Sequence, residues 1–113
     1  MSIIERTEIV KDIIGISTYE SEDKDAGIVC AKAADELLTI GNITTSFVIG
    51  TTEAGISISG RSVGEINVQI ILEKMGGGGH STVAGVQIEG KTIYEVKQEL
   101  LQRIDEYFEE TES

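Results

Sequence analysis

The chain has 113 residues, 40% of them hydrophobic, with a formal net charge of −11; this describes one small globular domain, not a disordered segment. The acidic surplus excludes a general nucleic-acid binder, which needs Lys and Arg to displace counterions, and restricts any anionic ligand to something small held by local donors. No apolar run approaches the roughly 20 residues of a membrane span and no basic-then-apolar leader opens the chain, so the expectation is a cytoplasmic domain with no membrane contact.

In chain order, Ile3, Thr7, Val10 and Ile14 fall roughly on one helical face, which predicts that residues 1–12 are a linker helix from a missing upstream domain. Ile13–Tyr19 reads as a buried strand. The acidic run Glu20–Asp25 lacks the acid-and-glycine alternation of a calcium loop and reads as a helix start, where carboxylates favour the positive end of the dipole. Ala26, Val29, Cys30, Ala33, Leu37 and Ile40 make the apolar stripe of that helix, with Gly41 as its C-terminal cap. Cys30, the single cysteine, excludes an internal disulfide and belongs to this stripe, which makes it a packing residue. Thr44–Ile49 and Ile56–Ser59 read as an antiparallel hairpin. Ser62 and Glu65 form an S-x-x-E capping box for a helix with two apolar faces, Val68, Ile71, Leu72 and Met75 on one and Val63, Ile66 and Ile70 on the other. Val83–Ile88 is a further strand. Thr92 and Glu95 supply a second capping box for a last helix to about Glu110, with Ile93, Val96, Leu100, Ile104 and Phe108 inward. The fold expected is α/β (α+β): one small domain over 13–113, a mixed sheet of about four strands with helices packed on it.

Met75–Ser81 reads M-G-G-G-G-H-S, four consecutive glycines running into the only histidine. Ending a helix takes one glycine; four suggest a backbone that comes close to a ligand, its N–H groups forming a concave nest for phosphate or carboxylate oxygens. A flexible linker with a chance histidine is the alternative on the glycines alone. Arg61 and His80 come from the two ends of the same helix. If the loop folds back beside the hairpin, Arg61, the Ser57 and Ser59 hydroxyls, the glycine N–H groups and His80 converge on one anion site. Gly85–Thr92 matches the P-loop pattern G-x-x-x-x-G-K-T, but V-Q-I-E alternates as a strand and Glu89 would oppose a triphosphate. One histidine without partners at ligand spacing builds no metal centre.

The run I-S-I-S-G-R-S, the helix G-E-I-N-V-Q-I-I-L-E-K-M and then G-G-G-G-H-S-T-V-A-G resemble the DHH-associated C-terminal domain (DHHA type 1). The likeness covers nearly the whole chain and is closest to cyclic di-AMP phosphodiesterases of the GdpP (YybT) type; oligoribonuclease and RecJ-like relatives share the shorter glycine–histidine signature. The resemblance implies a substrate-binding domain in which Ser57, Ser59, Arg61, Gly76, Gly77, Gly78, Gly79 and His80 hold the phosphate and the base or sugar of a dinucleotide, with Ser62 as a secondary candidate. It further implies that cyclic di-AMP is hydrolysed to pApA by two manganese ions in an upstream Asp-His-His domain, with no catalytic residue in this chain, which would be inactive alone. A stand-alone nucleotide-sensing module, the binding domain of an oligoribonuclease-like phosphoesterase, and a structural loop beside an acidic protein-docking surface remain the alternatives.

Overall fold

The strand T-S-F-V-I-G-T-T (β3, Thr45–Thr52) is apolar on both sides, and the fold is built around it. Phe47 and Ile49 turn one way, Val48 the other, and all three are fully buried. A strand covered on both faces needs helices on both, and the computed structural model, which describes residues 2–112, supplies them. On the Val48 side lies α1 (Ala26–Leu37), packing Cys30, Ala33, Ala34 and Leu37 against it. On the Phe47 side lie α2 (Val68–Glu73) and α3 (Ile93–Glu112), whose Val68, Ile71, Leu72, Val96, Leu100 and Ile104 form the main core with Ile14, Ile16 and Ile58.

The mixed sheet has six strands, not four. Besides β3 these are β1 (Glu8–Val10), β2 (Ile14–Tyr19), β4 (Gly55–Ser62), β5 (Gly78–Gly79) and β6 (Val83–Ile88), in the order β1-β2-β3-β4-β6-β5. The α1 crossover makes β2 and β3 parallel, and every other pair is antiparallel. The two strands absent from the expectation are the edges, three and two residues long, too short to show a period of two.

Among the described residues no helix forms before β2. Residues 3–6 make a turn, and β1 folds back on β2 through Lys11 and Asp12, both in the left-handed region (φ 53° and 66°). The helical spacing misled because its apolar residues serve two cores: Ile3 packs with the α1 cluster, Val10 with the α3 cluster. The acidic run precedes α1 without capping it: Asp25 makes no side-chain cap bond, and the segment is held by Ser21, which exchanges hydrogen bonds with Thr51 (3.0 and 2.8 Å). The helix also stops at Leu37, and Gly41 (φ 49°) lies in the turns beyond.

The first capping box is replaced by a later cap. Ser62 ends β4, opposite Thr45, and its N–H donates to the Thr82 carbonyl. The sheet thus takes the residue before a helix can start. Asn67 caps α2 instead, accepting from the Ile70 N–H at 3.1 Å, and Val63 lies outside the helix, 68% exposed. The second box forms as its spacing requires: the Thr92 N–H donates to Glu95 Oε1 and the Glu95 N–H to Thr92 Oγ1 (3.0 and 3.1 Å). Among the described residues no helix is long and apolar enough to cross a membrane.

Candidate functional site

Strand alternation decides what β4 offers each layer. Ile56, Ile58 and Gly60 face the α2–α3 core: a Cβ on Gly60 would stand 3.1 Å from the Phe47 ring. Ser57, Ser59 and Arg61 therefore face the α1 side. Register carries the pattern across: Ser59 lies opposite Gly85 on β6, Ser57 opposite Gln87, and Gly85 opposite Gly78 on β5. Together these residues floor a groove of about 520 Å³, with Gly27 in the first turn of α1 on one side and Gly76–Gly78 on the other. Ser57, Ser59, Gly76, Gly77 and Gly78 thus share one concavity. Gly79, His80 and Arg61 lie outside its lining, and Ser62 turns to the opposite face, 3.3 Å from Thr45 Oγ1.

Arg61 and His80 nevertheless end up at the same end of this groove. Val83 pairs with Arg61 on one side, and its carbonyl accepts from the His80 N–H on the other (2.7 Å). The Arg61 guanidinium is occupied: Nε donates to Asp35 Oδ1 of α1 at 2.9 Å and Nη1 to the Gly60 carbonyl at 2.9 Å. An ion pair with a carboxylate this exposed (65%) contributes about 0–1 kcal/mol, so it aims the guanidinium without locking it away from an incoming anion.

The glycine run is a strand edge more than a nest. The Gly76 N–H donates to the Glu73 carbonyl (3.1 Å) and the Gly77 N–H to Leu72 (2.9 Å), so two of the expected bare donors close the end of α2. Most of the glycines answer to the fold. A Cβ on Gly77 would lie 2.4 Å from the Gly85 oxygen and 2.6 Å from Val86 Cβ; one on Gly79 (φ 141°) would lie 2.4 Å from the Val83 oxygen. Gly76, at φ 92°, ends the helix. Gly78 differs. A Cβ there meets nothing within 4 Å, and its backbone is not left-handed, so the fold gives no reason for glycine at this edge of the groove.

Cys30 is buried under the sheet, and burial pushes its thiol up to about 11, which keeps it protonated and inert. Gly85–Thr92 is β6, a turn and the cap of α3, not a phosphate loop. Gly27, Gly85 and Gln87 also line the groove and Asp35 holds Arg61 beside it; the sequence did not single them out, since each arrives through a cross-strand register or a helix placement.

The profile of the DHHA1 domain matches residues 9–110. The chain belongs to the DHHA1 family. This DHHA1 domain is 40% identical over 108 residues to the cyclic-di-AMP phosphodiesterase GdpP of Geobacillus thermodenitrificans, and 39% identical over 107 residues to the cyclic-di-AMP phosphodiesterase PdeA of Listeria monocytogenes. These alignments cover 95% and 94% of the chain but 16% of either relative, so the domain spans about a sixth of their length. Its fold is shared by an exopolyphosphatase-related protein of Bacteroides fragilis, with a TM-score of 0.79 at 20% identity, over 98% of this chain and 34% of that one.

Proposed function

We propose that this DHHA1 domain recognises one nucleotide of a dinucleotide, cyclic di-AMP or its linear product pApA, on behalf of a DHH-type phosphodiesterase on the cytosolic side of the membrane. The observation that carries the reading is the groove on the α1 face, lined by Ser57, Ser59 and Gly78, with Arg61 and His80 at one end of it. The names of the GdpP and PdeA relatives, cyclic-di-AMP phosphodiesterases, supply the ligand class. In this reading the Arg61 guanidinium exchanges Asp35 for a phosphate oxygen, and His80 adds a hydrogen bond from the edge of the sheet. The fork of Arg61 suits a phosphate with two parallel N–H donors.

Hydrolysis is assigned to two manganese ions in an upstream Asp-His-His domain, which would activate water and neutralise phosphoryl charge. The residues here do not fit such a centre: among the described residues no group of three or more His, Cys, Asp or Glu could hold a metal ion. Two measurements test the assignment. Calorimetry should show pApA binding to the chain, weakened roughly ten- to a hundredfold by Arg61→Ala, the loss of one charge-assisted hydrogen bond. With manganese added, the chain alone should leave cyclic di-AMP intact, while a protein joining it to an Asp-His-His domain should hydrolyse it and slow on His80→Ala. Metal-dependent turnover by the 113 residues alone, abolished by His80→Ala, would overturn the division of labour.

A further inference from the structure

Every residue lining the groove is uncharged: glycines, Ser57, Ser59, Gln87 and the strand neighbours Ile58 and Val86. Along β4 the next cation, Arg61, is two strand residues beyond Ser59, roughly 7 Å away. Two of the backbone donors at the rim already serve α2. A phosphate placed in the groove would leave water for a neutral surface, whereas at the Arg61–His80 end it meets charge. The groove itself suits the neutral part of a nucleotide.

Two polar side chains on its floor have no structural task. Gln87 is exposed and points its strand face into the groove, directly opposite Ser57. Ser57 is 7% exposed, and its hydroxyl has no hydrogen-bond partner, an exception that calls for an explanation in a protein interior. A carboxamide presents one donor beside one acceptor. That pair matches the adenine edge, where the N6 amino group stands beside N7; guanine offers two acceptors there, which suit Arg or Lys.

Resting on the reading that this domain binds a nucleotide, we infer that the groove is the base subsite and that Gln87 selects adenine over 6-oxopurines. Gly27, Gly78 and Gly85 keep the subsite open by presenting no side chain. The phosphate then reaches Arg61 and His80 along the strand direction.

The test titrates the chain with AMP, inosine 5′-monophosphate and ribose 5-phosphate, at millimolar ligand, following backbone amide resonances. AMP differs from the inosine nucleotide at the position Gln87 reads, and ribose 5-phosphate lacks the base. The expected result is that AMP binds roughly 5- to 100-fold more tightly than the inosine nucleotide and shifts the Gly27, Gly85 and Gln87 amides. Gln87→Leu, at an exposed position, removes that preference and leaves ribose 5-phosphate binding unchanged. Equal binding of the two nucleotides, or a preference that survives Gln87→Leu, overturns the inference while pApA binding sensitive to Arg61→Ala keeps the functional reading. No binding of pApA at millimolar concentration overturns both.

Discussion

Gly77 and Gly78 are adjacent and chemically identical, yet they should respond to a methyl group in opposite ways. At Gly77 the new Cβ would fall 2.4 Å from the Gly85 oxygen and 2.6 Å from Val86 Cβ, both on β6, and neither can move without breaking the ladder to β4. Overpacking of this kind costs about 1–3 kcal/mol, which lowers Tm by roughly 4–18 °C in a domain this size. At Gly78 the Cβ meets nothing within 4 Å and the backbone needs no left-handed turn. Gly78→Ala should therefore raise stability by about 0.4–1 kcal/mol, through the lost freedom of the unfolded chain. Gly78→Val, a strand-favouring change, should fold equally well but fill the side of the groove, weakening pApA binding at least tenfold, about 1.4 kcal/mol. Thermal denaturation of the alanine variants and calorimetry on Gly78→Val read the contrast. A Gly78→Ala loss in Tm equal to that of Gly77→Ala, or wild-type affinity in Gly78→Val, would refute the claim that Gly78 is kept small for a ligand.

Asp35→Asn frees the Arg61 Nε from its carboxylate and should tighten pApA binding severalfold, as calorimetry at low salt would show; unchanged or weaker binding would mean that Asp35 positions the guanidinium more than it competes. Hydrogen bonds from Thr92, with Lys91 nearby, hold the Glu95 carboxyl below its ordinary 4.5, and a bond from Lys91 does the same for Glu99. Such lowered groups contribute stability that is complete above the unfolded value and is lost as pH falls through the folded one. Tm should thus fall as the pH drops below about 5, and less steeply in Glu95→Ala; an identical acid limb in that variant would contradict the assignment. Cys30, buried with its thiol pushed up to about 11, should resist alkylation at pH 8 until the chain unfolds, and mass spectrometry of native and denatured samples checks this. Tyr107 accepts the Asn67 N–H at 3.0 Å beside the α2 cap, so Tyr107→Phe should cost about 1 kcal/mol in denaturant unfolding, and no loss would show that water replaces the phenol.

What the sequence made legible was whatever depends on neighbours in the chain. The α1 stripe from Ala26 to Leu37, the Thr92–Glu95 box and the β3–β4 hairpin all rest on spacings of two to four residues, and all formed; Ile40, expected at the end of the stripe, lies beyond the helix and is exposed. The failures share a different cause. Ser62 could cap a helix by its local pattern, but the distant Thr45 and Thr82 claim it for the sheet. Ile3 and Val10 share a helical spacing, yet a turn sends them to opposite faces. The site divides the same way. Ser57, Ser59 and Arg61 were readable as one face of one strand, and Gly76–Gly78 as a turn toward it. Gly85 and Gln87 required the β4–β6 register, and Asp35 required the lie of α1 over the sheet, neither of which leaves a local trace.

The hairpin that carries His80 is tied at its tip to the first residue of α2 and to the end of β4. The Ser81 carbonyl accepts from the Val68 N–H at 3.0 Å and the Thr82 carbonyl from the Ser62 N–H at 2.9 Å. The stretch richest in glycine thus leads into a tip held by backbone hydrogen bonds on two sides. A ligand bound as proposed would meet these backbone groups already in place and would lose little affinity to ordering them. Substitutions around the groove should then register in how long the ligand stays more than in how fast it arrives.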